Sequence, residues 1–520
     1  MLFNSYEFIF VFLPVVWVGC RLALRLAGPR AGAAWLVLAS CVFYARWDWR
    51  FLPLLVLSLL VNYSLGRRLA GPVTRGRRAI LIAGLVWNLG LLGYFKYWNF
   101  FLDNVNGLTG AHLALGRIVL PLGISFFTFQ KIAFLVDAWR GRVREVRFVD
   151  FALFVMFFPQ LIAGPIVHHS EFIPQVQNHD TWRFDPRKFA LGLALFAAGL
   201  FQKCVVADTL APVADNAFGL AAQGVHLRLL EAWTGVVAYS LQLFFDFAGY
   251  SHMALGLALL FGFRLPVNFL APYASTSIIE FWRRWHITLS AFLRDYVYIP
   301  LGGNRRHQLT NLFATMLLAG LWHGAGWTFV LWGAWHGAAL LLNHVWRRRQ
   351  RRSADTDLAL GAPPVLAATG PAPWWAQPAT LVFVALGWVL FRAPDLATAR
   401  LLGASLFGVH GISVPVSWAH WLEPLTWVFR PRGLFPNLAL APSAFLMIVV
   451  AGWLACNRSR LLAWLGVAPS EVTPAAVWQE RELAPPDRPL HWTRAAATGV
   501  MLAVAIAALA RTSPFLYFQF

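Results

Sequence analysis

The sequence predicts an all-α, polytopic transmembrane protein, and three observations carry that prediction. Of 520 residues, 59% are hydrophobic and only 13% are charged, about half the charged share of a soluble domain. Apolar runs suited to helices of about 20 residues, the length that crosses a bilayer, recur about ten or more times. The basic excess, 43 Lys and Arg against 23 Asp and Glu for a net charge of +20, falls in short clusters between these runs, as the positive-inside rule expects. An ordinary soluble enzyme, a disordered chain and a fibrous repeat are excluded. Membrane lipid is the expected surrounding and nucleic acid is not an expected partner, since no zinc finger, helix-turn-helix or aromatic-basic sheet surface is present. Cys20, Cys41, Cys204 and Cys456 are isolated in or beside apolar runs, with no Cys-x-x-Cys or Cys/His spacing, so no metal site is expected.

The elements follow in order. Met1 to Phe10 holds Glu7 and no Lys or Arg, whereas a cleaved signal peptide begins with positive charge. The run 8–18 is instead followed by Arg21, Arg25 and Arg30, which places the N-terminus outside and that loop in the cytoplasm. Runs 31–44 and 51–65 lead to a second cytoplasmic cluster, Arg67, Arg68, Arg75, Arg77 and Arg78. Run 79–94 returns outward, and 118–138 comes back to Arg140, Arg142, Arg144 and Arg147. Segments 151–166 and 189–206 are short and interrupted by Pro, Gly, Gln or Lys, so re-entrant or tilted helices are expected there. Run 328–345 leads into Arg347, Arg348, Arg349, Arg351 and Arg352. Residues 353–373, rich in Ala, Pro and Gly, read as a cytoplasmic linker. Runs 378–391, 444–456 and 495–509 follow, with an external loop at 402–440 and a cytoplasmic one at 469–489. This places Arg458 and Arg460 inside and Phe520 outside.

Against so little charge, the polar residues between Tyr239 and His336 stand out. A charge at the bilayer centre costs at least ~2.5 kcal/mol, so such groups usually face a cavity. Gln242, Asp246 and Gly249 fall at helical spacing, with Tyr250 and Ser251 beside them. A channel-lining stripe and plain helix–helix hydrogen bonding both fit that pattern. The stretch 268–300, beginning at Asn268, alternates aromatics with arginine, as in a helix lying at the membrane interface. Glu280 and Arg284 stand in the favourable i,i+4 order. Arg283 and Arg284 suit phosphates or lipid headgroups alike, and Leu301 to Arg306, with Arg305, reads as a basic turn. Trp322, His323 and Gly324 close the apolar run 312–321. Gly324 and Gly326 permit close backbone approach and leave room for a substrate. A neutral histidine at membrane depth suits a general base. Trp335, His336 and Gly337 echo the pattern, but His323 and His336 do not have a metal-ligand spacing. His168 and His169, after Pro165, read as a surface pair. No P-loop, dinucleotide fingerprint or Gly-x-Ser-x-Gly elbow occurs.

Several segments together resemble the membrane-bound O-acyltransferase family, in its bacterial alginate O-acetyltransferase branch. They are Tyr94-Phe-Lys-Tyr97, Leu122-Gly-Ile-Ser-Phe-Phe127, Phe158-Pro-Gln-Leu-Ile-Ala-Gly-Pro165, Phe245-Asp-Phe-Ala-Gly-Tyr-Ser251, Glu280-Phe-Trp-Arg-Arg-Trp-His286 and Trp322-His-Gly324. The likeness runs from about residue 1 to 345 and includes the ending Phe515-Leu-Tyr-Phe-Gln-Phe520, while 353–490 carries no motif that can be placed. The resemblance implies a funnel-shaped helical fold with a central channel and re-entrant or interfacial helices. The organisation expected is a core at 1–345, a basic and Pro/Ala-rich linker at 346–375 and additional transmembrane helices at 376–520. It implies an essential histidine at His323 and a second family histidine at His286. It further implies that acetyl groups pass from cytoplasmic acetyl-CoA, with no permanently bound cofactor, across a bacterial inner membrane. The acceptor would be a periplasmic acetyl-transfer partner or the exopolysaccharide itself, and both termini would be periplasmic. Gly324 to Phe329 is more aromatic than in the alginate enzymes, so cellulose or another exopolysaccharide stands beside alginate.

On this reading His323 is the general base, a role typically contributing ~10²–10⁴-fold. His286 orients it or polarises the thioester carbonyl. Arg283, Arg284, Arg305 and Trp322 meet the CoA, and Gln242, Asp246, Tyr250, Ser251, Asn268 and His336 line the channel. The rival is a transporter or channel subunit of a polysaccharide export system, with Asp137, Glu231 and Asp246 as its acids. Transporters often carry an internal repeat, and none is visible. The oligomeric state is not legible.

Overall fold

The computed structural model describes residues 1–71, 76–113, 116–143, 146–358, 373–414, 429–431, 442–464, 492–511 and 515–516. Among them the fold is helical almost throughout, with one short parallel pairing of Ile412–Val414 with Phe429–Pro431. It is an all-α membrane fold. By length and composition, Phe8–Ala70, Arg77–Thr109, Pro186–Ala222 and Leu229–Leu260 can each cross a bilayer, and Ala376–Arg392, Leu396–Leu406, Leu446–Asn457 and Trp492–Ala508 are shorter apolar helices. The most apolar window of Leu229–Leu260 is 100% buried within the protein, whereas that of Phe8–Ala70 is 17% buried. The latter leaves Val11, Val15, Val18 and Leu22 exposed, a continuous apolar surface that only lipid or another apolar partner would cover.

The chain forms two compact units that interleave along the sequence. One comprises Met1–Val205, Phe247–Asn268 and Leu462–Gln519, the other Val206–Asp246 and Phe269–Leu461.

In the first unit, Leu13–Asp48 is two helices joined at a kink. Gly28 takes φ 77 and ψ −171 there, a conformation open to glycine, and Pro29 lacks the N–H that would continue the ladder. Pro186–Phe201 packs on the 247–260 stretch through matched glycines. A Cβ on Gly249 would stand 2.7 Å from the Gly199 carbonyl oxygen, and one on Gly192 2.8 Å from that of Gly256. Small residues at such crossings let membrane helices touch backbone to backbone. Polar side chains tie further helices together: Asn88 donates to Asn62 at 2.6 Å and Lys131 to Ser58 at 2.6 Å.

Several expectations change. Segment 151–166 is two helices, Phe148–Met156 and Phe158–Leu161, meeting at the non-helical Phe157. Segment 189–206 instead lies inside the continuous Pro186–Ala222, because the backbone widens into a π-helical turn at Gln202–Ala207 rather than breaking. The run 118–138 becomes helical only at Ile124, after Gly123 at φ 72. The 353–373 linker begins later, because Trp327–Leu358 continues through 353–358; 359–372 lies outside the described residues. The 402–440 loop loses its start to Leu396–Leu406, whose first turn Asp395 caps by accepting from the Thr398 N–H at 2.7 Å. The loop 469–489 lies outside the described residues.

Candidate active site

The second unit positions the histidines. His323 is the last residue of Gln308–His323, and Gly324, extended at φ −154, stops that helix. The chain turns at once into Trp327–Leu358. Backbones meet along this hairpin: a Cβ on Gly320 would strike the Phe329 carbonyl, one on Gly333 the Met316 carbonyl, and one on Gly324 the Phe329 ring. The hairpin thus holds His323 at 5% exposure. Its ring has Trp322 at 4.9 Å, Trp332 edge-on at 5.0 Å, Phe391 at 5.2 Å and His286 at 6.4 Å.

His286 enters from a second element, as the residue before Ile287–Leu293. It takes φ 43 and ψ 56, a left-handed conformation that costs roughly 1–2 kcal/mol in a residue with a Cβ. It is fully buried, lies outside the membrane-spanning helices, and burial pushes its pKa down to about 3. Its imidazole is therefore neutral at working pH. His336 is also fully buried, with Trp332 at 4.9 Å and Trp282 at 5.3 Å. Neither of its nitrogens, nor the indole N–H of Trp282 or Trp332, has a hydrogen-bond partner among the described residues. Buried polar atoms are nearly always satisfied, so this aromatic wall holds hydrogen-bonding capacity beside His323.

The other predicted residues divide. Trp322 is buried beside His323 and stands 6.2 Å from His286. Arg284 pairs with Glu280 at 2.6 Å, and the same carboxylate accepts from the Thr276 N–H at 2.8 Å. Arg283 and Arg305 are exposed. Gln242 and Asp246 are buried in the second unit. Tyr250, Ser251 and Asn268 belong to the first unit, where the Tyr250 ring lies between Phe3 at 4.8 Å and Phe515 at 4.7 Å. Asn268 there reaches the Ser251 hydroxyl at 3.5 Å. Sequence reasoning missed Trp388 and Phe391, which pack 5.9 Å and 5.2 Å from the Trp332 ring. No local sequence signal marks them; only the fold sets Gly387 of the same helix against His336, where a Cβ would stand 2.9 Å from Nε2.

The reading of His168 and His169 as a surface pair is corrected. His169 is buried and burial lowers its pKa to about 4. Both rings face the fully buried Asp137, at 2.7 Å for His168 Nε2 and 3.9 Å for His169 Nδ1. These atoms lie close enough to share a metal ion. However, His168 Nδ1 accepts the Ser170 N–H as a helix cap, so its proton sits on Nε2 and is donated to Asp137. Arg140 and Arg142 each stand 3.5 Å from the same carboxylate. That donor set neutralises a carboxylate rather than holding a cation.

The fold and the site define a polytopic helical membrane protein with a buried histidine cluster walled by indoles. The profile of the membrane-bound O-acyltransferase family matches residues 124–360. The chain is 43% identical over 444 residues to the peptidoglycan O-acetyltransferase of Helicobacter pylori, across 80% of this chain and 81% of that protein. It is 38% identical over 536 residues to the probable alginate O-acetylase AlgI of Pseudomonas putida, covering 100% of both. It is 31% identical over 250 residues to the teichoic acid D-alanyltransferase of Streptococcus thermophilus, across 44% of this chain and 58% of that one. The protein belongs to the membrane-bound O-acyltransferase family, in the branch of the alginate O-acetylases, and is an acyltransferase.

Proposed function

We propose that the protein moves acetyl groups from cytoplasmic acetyl-CoA across the bacterial inner membrane, with His323 as general base. The acceptor is a cell-surface glycan such as alginate, cellulose or peptidoglycan, or a periplasmic acetyl-carrier partner. Relatives named for O-acetylation of alginate and of peptidoglycan support the reaction class. The observation that carries the residue assignment is the burial of His323 at a glycine-locked helix end, 6.4 Å from a neutral His286. His323 takes the proton of the acceptor hydroxyl as its oxygen attacks the thioester carbonyl. The C–S bond then breaks, and the departing CoA thiolate recovers that proton. His286 orients the base or polarises the carbonyl. The exposed Arg283 and Arg305 suit a soluble donor's phosphates; Arg284, next to Arg283 in sequence, and Trp322, beside His323, are assigned to the same donor. Gln242, Asp246, Tyr250, Ser251, Asn268 and His336 are assigned to the passage, and both termini to the periplasm.

The test is acetyl transfer by the full-length protein in vesicles supplied with labelled acetyl-CoA and acceptor glycan. His323→Ala should lower transfer by at least ~10²-fold while expression and thermal unfolding stay unchanged. Undiminished transfer would remove His323 from the mechanism, and absence of transfer by the unaltered protein with any acceptor would favour the export-channel reading.

A further inference from the structure

The first unit holds a cavity of about 1040 Å³ that opens to the surface, where Arg30, Arg67 and Arg147 are exposed, and no residue of the candidate active site lines it. Arg30, Arg67 and Arg147 surround it. They come from three separate parts of the chain: just after the Gly28 kink, the last turn of Leu52–Ala70, and the residue before Phe148–Met156. None of these guanidinium groups has an ion pair or hydrogen bond among the described residues. Among the described lining residues the one carboxylate, Asp150, is already engaged by the Gln177 amide at 3.0 Å. Phe134 and Val176 supply apolar wall. Among its described residues the cavity therefore sets three arginines against one carboxylate beside an apolar surface, in a volume at the upper end of small-ligand sites.

We propose that this cavity binds the phosphate ester of a molecule that also carries an apolar part. Guanidinium is the side chain whose planar fork matches phosphate oxygens two at a time. Three such groups held on separate segments suit one or two phosphates better than a single carboxylate. A membrane phospholipid headgroup and a soluble phosphate ester such as CoA share this chemistry.

The experiment uses the full-length protein in detergent, examined by native mass spectrometry with phosphatidylglycerol, with phosphatidylcholine, and with CoA alone. The triple variant Arg30→Gln, Arg67→Gln, Arg147→Gln should retain at least about tenfold less of the bound phosphate ester. Loss confined to phosphatidylglycerol supports the lipid source, and loss confined to CoA the soluble one. Equal binding of all three probes by the variant and the unaltered protein overturns the proposal. Where the triple variant unfolds, Arg67→Gln and Arg147→Gln singly replace it, with the same outcomes read from a smaller loss. Because His323 is untouched, a failed result here leaves the acyltransfer reading standing.

Discussion

His286 combines two costs that a residue chosen only for packing would avoid: a left-handed backbone and complete burial of an imidazole. Strain of this kind persists where the surroundings over-determine it, often at functional sites. Burial has a consequence for pH. The ring's pKa falls from 6.5 to about 3 in the folded protein. Above pH 6.5 both folded and unfolded chains hold it neutral, and it adds no pH dependence. As pH falls from about 6.5 toward 3, the unfolded chain gains a proton that the folded chain refuses, so stability declines. His169, lowered to about 4, acts with the same sign. His286→Gln should therefore shrink the stability lost between pH 7.5 and 5 by up to about 2 kcal/mol, from about 1.4 kcal/mol per pH unit below 6.5. Thermal unfolding of the detergent-solubilised protein at the two pH values measures this, and parallel losses in both proteins would contradict it.

Among the elements, the hairpin of Gln308–His323 and Trp327–Leu358 shows what sequence can and cannot reveal. The Trp-His-Gly triplet, the terminating Gly324 and the resemblance around them were legible, because a helix end and its glycine are local. The pairing of Gly320 with Phe329 and Gly333 with Met316 was not, since it depends on how two helices register. Trp388 and Phe391 were illegible for the same reason: Ala376–Arg392 reads as another apolar run until its Gly387 is seen against His336. His168 and His169 misled in the opposite direction, because their partner Asp137 lies on a distant helix. The close approach yields a prediction. Gly333→Val places branched carbon against the Met316 carbonyl, and overpacking of this kind typically costs about 1–3 kcal/mol or more. It should lower the unfolding temperature and, by shifting His323, reduce acetyl transfer. Gly452→Val, at a glycine with nothing within 4 Å of a Cβ, should do neither. An unfolding temperature for Gly333→Val equal to that of Gly452→Val would show the hairpin to be loosely packed.

For the whole molecule, charge pattern and packing bear on one question, which faces of the first unit share a side. The arginine clusters at 21–30, 67–78 and 140–147 were assigned to the cytoplasm by sequence alone. Packing independently brings Arg30, Arg67 and Arg147 around a single cavity, as groups sharing one aqueous face must be. The same reading places the stretch between Arg77–Leu92 and Ile124–Trp139 on the opposite side, where Leu108 is 88% exposed. Cysteine labelling separates the sides cleanly, because the native cysteines can be replaced and Cys20 and Cys204 are already buried. In intact cells, an impermeant thiol reagent reaching the periplasm should label Leu108→Cys and spare Arg67→Cys and Arg147→Cys. In inverted inner-membrane vesicles the pattern should reverse. Labelling of Arg67→Cys and Arg147→Cys from different sides would contradict their common cavity. Labelling of all three from one side would leave the cavity intact and discard the inside–outside assignment. Should the expected pattern hold, the proposed phosphate site faces the cytoplasm, the side from which the proposed acetyl-CoA donor would arrive.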